Sequence, residues 1–265
     1  RLAYDDSGSG LPIVFLHAFP LNRSMWAQQV SALSAQFRTI AIDLRGHGES
    51  DAPLWSFSLD QYADDVAALL DHLDIPQAVL VGLSMGGYVS LAFSRTYGKR
   101  LLGLVLADTR AQADSPDGRT GRFHLAQTAY TQGTETVANT MLPKLLGATS
   151  LNNKPELVES IRRTIHQAPV SGILVDLMAM ADRRDSTTHL SAILCPTLVV
   201  IGEEDHTTPL VDAQLMAERI PHARLAIIPA AGHVSNCEQP ELFNDLLRGF
   251  VEELRSTAGE PSFRL

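Results

Sequence analysis

Cysteines, aromatic residues and long apolar runs are all scarce in this chain of 265 residues. Its two cysteines, Cys195 and Cys237, are too few for the disulfide framework of a secreted domain, and their spacing does not fit a zinc site. No apolar run approaches the roughly 20 residues of a membrane-spanning helix, and no signal peptide opens the chain. These absences predict a cytoplasmic protein that has no membrane partner.

Basic residues are also fewer than acidic residues. Lysine and arginine number 21 against 30 acidic residues, which gives a formal net charge of −9, and no dense basic cluster offsets that sign. This balance argues against a nucleic-acid partner. The ligand cluster of a metal hydrolase is missing as well, so we expect neither a metal nor another cofactor. Five histidines are isolated in sequence, namely His17, His47, His124, His166 and His189.

Short apolar runs alternate with helical patterns along the chain. Apolar residues make up 45% of the sequence, which is enough for a substantial buried core. Such alternation predicts an α/β fold, in which a mostly parallel sheet is flanked by helices. Strands are predicted at residues 13–17, 39–43, 78–82, 101–107, 197–201 and 223–228, with the end of another at 2–4.

Three helices have clear patterns, over residues 58–73, 85–97 and 240–255. Ser58 or Asp60 suits the N-terminal cap of the first helix, and Gly98 suits the C-terminal cap of the second. Apolar side chains recur on one face of the first helix, at Leu59, Tyr62, Val66, Leu69 and Leu70.

The strand pattern is interrupted between residues 110 and 190. This segment is helical and polar and lies between two predicted strands, so we expect a helical cap inserted into the fold. The α/β core then comprises residues 1–109 and 191–255. The polar residues 256–265, which include Gly259 and Pro261, are expected to form a tail.

A nucleophile motif lies between a predicted strand and a predicted helix. Residues 82–86 read Gly-Leu-Ser-Met-Gly, the G-x-S-x-G pattern of a nucleophile elbow, and the strand–turn–helix context is what the motif requires. The turn is sharp enough that a side chain at Gly82 or Gly86 would collide with neighbouring elements. We therefore predict that Ser84 is presented at the carboxyl edge of the sheet, facing the N-terminus of the following helix.

A serine hydroxyl needs a base, and in this arrangement the acid and the histidine follow the serine in that order. His233 comes directly after the last predicted strand and is the expected base. Asp205 follows the preceding strand and is the expected acid, with Glu203 and Glu204 in the turn before it. Asp108, which follows an earlier strand, is the alternative acid.

Negative charge on a reacting carbonyl oxygen requires two backbone N–H donors. Met85, directly after the nucleophile, supplies one of them. The loop after the first strong strand supplies the other, and Phe19 is the expected donor because Pro20 has no N–H. His17 is expected to brace this loop rather than to take part in the chemistry.

Five motifs in this order resemble those of the α/β-hydrolase superfamily, and the likeness covers nearly the whole chain. Residues 17–20 resemble the family's His-Gly-x-Pro loop and residues 43–50 its D-x-R-G-x-G-x-S turn. Residues 82–86, 202–205 and 232–233 resemble the nucleophile elbow, the acid loop and the histidine loop.

Within the superfamily the chain looks similar to small esterases, enol-lactonase-like and acyl-homoserine-lactone-cleaving enzymes, and cofactor-free perhydrolases. Serine at the elbow separates it from the branches that place aspartate there. One departure is Ala18, where the family usually has glycine.

The resemblance implies a serine hydrolase that cleaves a small-molecule ester or lactone, including acyl-homoserine lactones, through an acyl-enzyme on Ser84. Met141, Met178 and Met180 either line an adaptable apolar pocket in the cap or pack the cap onto the main domain. The alternatives are a perhydrolase, a C–C hydrolase or lyase on the same fold, and a non-catalytic ligand receptor. The sequence leaves the oligomeric state open.

Overall fold

The computed structural model describes residues 1–52 and 57–257 of the protein. Across these residues seven strands form one sheet in the order β1-β3-β2-β4-β5-β6-β7. Only β1 is antiparallel to its neighbour; the other pairings are parallel. The strands are β1 (Ala3–Ser7), β2 (Pro12–Leu16), β3 (Arg38–Asp43), β4 (Ala78–Leu83), β5 (Leu101–Ala107), β6 (Thr197–Gly202) and β7 (Ala223–Ile228).

The central strands are buried on both faces, which explains why they appear in the sequence as continuous apolar runs. Every residue of β4 and of β6 is buried, while β7 at the edge is only partly covered. The predicted α/β-hydrolase fold with a mostly parallel sheet is confirmed. The predicted bounds of β5 and β7 coincide with the observed ones.

Helices cover both faces of this sheet, and none within the described residues combines the length and apolar character needed to cross a bilayer. Outside the segment between β5 and β6 they are α1 (Ala27–Leu33), α2 (Leu59–His72), α3 (Met85–Tyr97), α8 (Leu210–Arg219), α9 (Ser235–Glu238) and α10 (Pro240–Thr257). Helices α1, α8 and α9, which are short, were not predicted from the sequence.

The helix ends are set by local hydrogen bonds. Of the two candidate caps of α2 it is Ser58 that caps, in a reciprocal capping box with Gln61. Gly98 does follow α3, but with right-handed angles (φ −53°, ψ −29°), because a 3₁₀ turn continues the chain there. Helix α10 spans Pro240–Thr257, to the last described residue, and residues 258–265 of the expected tail lie outside the described part.

The insertion between β5 and β6 is helical, as expected. Its helices are α4 (Pro116–Leu145), α5 (Ala148–Asn153), α6 (Pro155–Gln167) and α7 (Val170–Ala181). Helix α4 bends at Gly133, whose φ of 79° is outside the helical range, and packs against α6 and α7. Gly133 adopts this angle without the steric cost that a side chain would add.

Helix α7 attaches the insertion to the core through a buried polar group. The carboxylate of Asp176 accepts hydrogen bonds from the Tyr62 hydroxyl and from His47 Nε2, the latter at 2.6 Å. All three side chains are fully buried. Burial and the nearby Asp176 carboxylate raise the pKa of Tyr62, so its hydroxyl keeps its proton and remains a donor.

Candidate active site

Ser84 lies in the sharp turn between the end of β4 and the start of α3. Its backbone has φ 54° and ψ −111°, an unfavourable combination for a residue with a side chain. Two hydrogen bonds hold it there: the Ser84 N–H donates to Ala107 O at 2.9 Å, and Thr109 Oγ1 donates to Ser84 O at 2.8 Å. The neighbouring end of β5 therefore holds the strained turn in place.

The glycines on either side of Ser84 are required by close packing. A Cβ at Gly82 would lie 2.3 Å from Gly86 O and 2.4 Å from Ser90 Oγ. A Cβ at Gly86 would lie 2.2 Å from Leu16 O, at the end of β2. All three distances are far below van der Waals contact, so the steric interpretation of the motif agrees with the structure.

Ser84, His233 and Asp205 form a continuous chain of hydrogen bonds. Ser84 Oγ lies 2.8 Å from His233 Nε2, and His233 Nδ1 lies 2.8 Å from Asp205 Oδ2. Ser84 and Asp205 are separated from His233 by 149 and 28 positions in the sequence, and three loops at the carboxyl edge of the sheet bring them together. The side chains are buried, with Ser84 retaining 8% exposure.

Asp205 is held in its ionised form. Burial opposes its charge, but the His233 imidazole and hydrogen bonds from Thr208 outweigh burial and lower its pKa. The amides of Thr207 and Thr208 donate to Oδ1 at 2.7 and 3.0 Å, and Thr208 Oγ1 donates to Oδ2 at 2.7 Å. These bonds orient the carboxylate towards the imidazole.

Asp108, the alternative acid, has a different set of partners. Its carboxylate accepts from the amide of Gly202 at 2.8 Å and from Ser235, through the amide at 3.2 Å and through Oγ at 2.5 Å. Burial, followed by the charge of Asp205, raises the pKa of Asp108 well above its ordinary value. Asp108 thus connects the end of β6 to the start of α9. The imidazole of His233 is hydrogen-bonded to Asp205 rather than to Asp108.

A second buried carboxylate, which sequence reasoning missed, supports the histidine loop. Glu238 accepts the amide of Gly232 at 2.8 Å and the amide of Gly147 at 2.9 Å. Gly147 lies between α4 and α5, so Glu238 joins the insertion to the residue that precedes His233. Burial raises the pKa of Glu238. Nothing in the local pattern separates Glu238 from an exposed acid near a helix start, so the sequence carried no signal for it.

The two expected oxyanion donors lie at adjacent ends of the sheet. Met85 is the first residue of α3, and Phe19 lies in the loop after β2. Strand β2 pairs with β4 so that Leu16 is opposite Gly82, which brings the two loops side by side. The loop that carries the Phe19 N–H therefore lies beside the turn that carries Ser84 and the Met85 N–H.

His17 braces the Phe19 loop in a defined tautomer. The Leu44 amide donates to His17 Nε2 at 3.0 Å, so the ring proton is on Nδ1, which contacts Ala18 O at 3.0 Å. In a trans peptide the carbonyl and the next N–H point in opposite directions, so this bond aims the Phe19 N–H away from His17. Burial, then the nearby His47, lowers the pKa of His17 to about 4, which keeps the ring neutral.

Metal-binding side chains do not gather at this site: the described residues contain no group of three or more His, Cys, Asp or Glu that could hold an ion. The arrangement provides a hydroxyl, an imidazole to accept its proton, a carboxylate to orient the imidazole and two amides. These are the elements that nucleophilic acyl transfer uses.

Residues 12–240 match a family model described as the alpha/beta hydrolase fold. The chain is 33% identical over 240 residues to 3-oxoadipate enol-lactonase 2 of Acinetobacter baylyi, covering 91% of this chain and 88% of that protein. Two solved structures are also similar. A thermophilic esterase from Thermogutta terrifontis with malate bound is 42% identical with a TM-score of 0.93, covering 96% of this chain and 93% of that one.

The second structure is Est816, an N-acyl homoserine lactone degrading enzyme, which is 32% identical with a TM-score of 0.82 and covers 94% of this chain and 96% of that one. The family match spans most of the sequence, and the relatives align along nearly their full lengths. The chain therefore belongs to the α/β-hydrolase family, in the branch of carboxylic-ester hydrolases that includes esterases and lactonases.

Proposed function

We propose that this protein is a serine hydrolase that cleaves small carboxylic esters, including lactones, through an acyl-enzyme on Ser84. The observation that carries the proposal is the unbroken chain of hydrogen bonds from Ser84 Oγ through His233 to Asp205, with 2.8 Å at each step. It lies at the carboxyl edge of a parallel sheet, where ligands of open α/β sheets bind.

In the first half of the proposed reaction Ser84 Oγ attacks the ester carbonyl while His233 Nε2 takes the hydroxyl proton. Asp205 stabilises the imidazolium that forms. The amides of Met85 and Phe19 meet the negative charge on the carbonyl oxygen. Collapse of this intermediate breaks the bond to the alcohol oxygen, which receives the proton from His233, and leaves the acyl group on Ser84.

The second half repeats these steps with water. His233 accepts a proton from a water molecule that attacks the acyl-enzyme, and then returns it to Ser84 as the acid departs. A lactone is compatible with this scheme, because ring opening leaves the alcohol tethered to the acyl group until water attacks. The named activity of the Acinetobacter enol-lactonase supports a lactone among the substrates.

The proposal is tested by replacing the nucleophile. We expect Ser84→Ala to lower kcat for p-nitrophenyl acetate by about four to six orders of magnitude, because no other group can form the acyl-enzyme. Ser94→Ala is the matched control, since Ser94 is a buried serine farther along α3 whose hydroxyl bonds to Leu91 O and to His189. We expect activity of the wild-type protein to survive EDTA.

Substantial turnover by a folded Ser84→Ala protein, or loss of wild-type activity with EDTA and recovery with zinc, would falsify the serine mechanism.

The expected apolar pocket receives partial support from the structure. Met141 lines a cleft between α3 and α4, whereas Met180 is fully packed in the core and Met178 lies against the core. We propose that Met141 and Leu125 contact an apolar section of the substrate. If so, kcat/KM for acyl-homoserine lactones rises with acyl length over the first few methylenes, by about threefold for each one buried. Flat values alongside rapid turnover of short linear esters would restrict the protein to simple esters.

A further inference from the structure

The backbone N–H of Ala18 has a sulfur atom as its acceptor. It donates to the thioether of Met25 at 3.3 Å, and both residues are buried. Ala18 lies in the loop of residues 17–20, which carries the proposed donor Phe19 and which we call the oxyanion loop. A thioether is a weak acceptor, whereas most buried N–H groups are paired with an oxygen, so a sulfur at this place calls for an explanation.

The carbonyl of Ala18 is held as firmly as its N–H. Ala18 O accepts hydrogen bonds from the Leu21 N–H at 2.8 Å and from His17 Nδ1 at 3.0 Å. Met25 therefore fixes the peptide plane before the Ala18 Cα, while Leu21 and His17 fix the plane after it. Two fixed planes about one Cα determine both backbone dihedrals of that residue. The second plane contains the Phe19 N–H, so the direction of this N–H depends on both sets of contacts.

The main chain of Met25 is itself anchored next to the histidine loop. Met25 O accepts from Asn236 Nδ2 at 3.0 Å, and the same amide group donates to Gln29 Oε1 at 3.1 Å. Asn236 lies in α9, which begins at Ser235, directly after the loop that carries His233. Met25 therefore joins the oxyanion loop to the helix that follows the proposed base.

A second anchor lies just before Met25 in the chain. The Arg23 N–H donates to Asp43 Oδ1 at 2.8 Å, and the Arg23 guanidinium pairs with the other oxygen of this buried carboxylate. The turn that carries Met25 is thus attached to the end of β3 as well as to α9. Its sulfur is held in place before a substrate arrives, as a preorganised group must be.

We propose that Met25 is a positioning residue for ester hydrolysis: its sulfur holds the Ala18 N–H so that the Phe19 N–H points at the carbonyl oxygen of a substrate on Ser84. The inference rests on the proposed function. Without the sulfur the Ala18 N–H is buried and unpaired, which is unfavourable. The loop then relieves this cost by turning the peptide, and the adjacent Phe19 N–H moves with it.

Met25→Leu tests the proposal, because it removes the acceptor and nearly keeps the volume of the side chain, a change that protein cores tolerate. We expect kcat for p-nitrophenyl acetate to fall by about tenfold to a hundredfold, with KM within about twofold, because the oxyanion bonds strengthen in the transition state. Met216→Leu, at a fully buried methionine in α8, is the matched control and should keep both constants. Met25→Gln restores an acceptor oxygen and should recover most of the lost kcat.

A thionoester separates positioning of the oxyanion loop from a general structural defect. In p-nitrophenyl thionoacetate a sulfur replaces the carbonyl oxygen, and sulfur accepts hydrogen bonds poorly. The oxyanion amides therefore contribute less to this reaction. We expect Met25→Leu to lower kcat/KM for the ester by about fivefold more than for the thionoester. A structural defect that displaces Ser84 or His233 would lower both values by the same factor.

Amide hydrogen exchange, followed by NMR, reports the bond itself and needs no activity. We expect the Ala18 N–H to exchange about tenfold faster in Met25→Leu than in the wild-type protein, because local opening no longer breaks a hydrogen bond. Met216→Leu should leave this rate unchanged. Met25→Ile removes the same acceptor and replaces Met25→Leu if that variant is poorly folded.

The proposal is overturned if a folded Met25→Leu protein cleaves the ester at the wild-type rate, or if the ester and the thionoester lose the same factor. In either case a Ser84-dependent reaction leaves the serine hydrolase mechanism standing, and only the role of Met25 fails. Turnover that survives Ser84→Ala contradicts the proposed function instead, whatever the exchange rate of the Ala18 amide.

Discussion

At the scale of single residues, the candidate site depends on a serine in a costly backbone conformation. The angles of Ser84 cost on the order of 1–3 kcal/mol and persist only where the surroundings impose them. Here the surroundings are the end of β5, through Ala107 and Thr109, and the two glycines that allow α3 to approach β2. The conformation holds Ser84 Oγ at 2.8 Å from His233 Nε2.

The two buried aspartates near His233 are expected to respond differently to loss of charge. Asp205→Asn should lower kcat by about 10³–10⁴, because an asparagine can hold the imidazole in the tautomer that cannot accept the serine proton. Asp108→Asn should lower kcat far less, since Asp108 contacts Gly202 and Ser235 rather than the imidazole. Steady-state kinetics with p-nitrophenyl acetate, on variants shown by circular dichroism to be folded, measure both.

If Asp108→Asn lowers kcat far more than Asp205→Asn does, the acid of the reaction follows β5 and the assignment of Asp205 is wrong.

At the scale of elements, the site is made by loops and the loops are held by buried carboxylates. Asp108 connects the start of the acid loop to α9, and Glu238 connects the histidine loop to the insertion. A buried carboxylate that accepts several N–H bonds recovers much of its desolvation cost. The helices of the insertion are therefore attached to the same loop that carries His233.

Replacing a glycine of α7 tests how closely this helix packs against the core. A Cβ at Gly172 would lie 2.0 Å from Gly46 O, so Gly172→Ala should push α7 away and disturb the nearby contact of Asp176 with His47. We expect a loss of about 1–3 kcal/mol in the free energy of unfolding, measured by urea titration.

Gly249→Ala is the matched control for α7, because nothing lies within 4 Å of a Cβ at Gly249 in α10. There the same change should stabilise the helix by about 0.5–1 kcal/mol. If Gly172→Ala and Gly249→Ala are equally stable, α7 does not lie as close to Gly46 as the structure shows.

At the scale of the whole molecule, the stability of the fold is tied to pH through a buried neutral histidine. His17 has a pKa of about 4 in the folded protein against 6.5 for an exposed histidine. Between these values the unfolded chain binds a proton that the folded protein does not, so stability falls as the pH drops from about 6.5 to 4. The contribution of this residue amounts to about 3 kcal/mol at most.

The pH dependence of unfolding should therefore change when His17 is replaced. We expect His17→Asn to be less stable at neutral pH, because the bonds to Leu44 and Ala18 are altered, but to lose less stability between pH 7 and pH 4.5 than the wild-type protein. Urea unfolding at several pH values measures both slopes. His124→Asn, at an exposed position, should keep the wild-type slope; identical slopes for His17→Asn would contradict the assignment.

The sequence by itself determined the fold class and indicated the residues of the candidate site. Strands buried on both faces leave continuous apolar runs, which is why β4, β5 and β6 could be placed from a few adjacent residues. The glycines at positions 82 and 86 indicate where backbones come within contact distance. Such signals are local, because periodicity and steric limits act within a few positions of the chain.

Only the tertiary structure decided which acid meets the histidine and what surrounds the site. Asp205 and Asp108 both follow strands, and their partners are separated by up to 127 positions in the sequence. The contacts of buried Glu238 and the attachment of Asp176 to His47 likewise join distant segments. No local pattern records these contacts, because the burial of a charged group and the partner that stabilises it are set by how the elements pack.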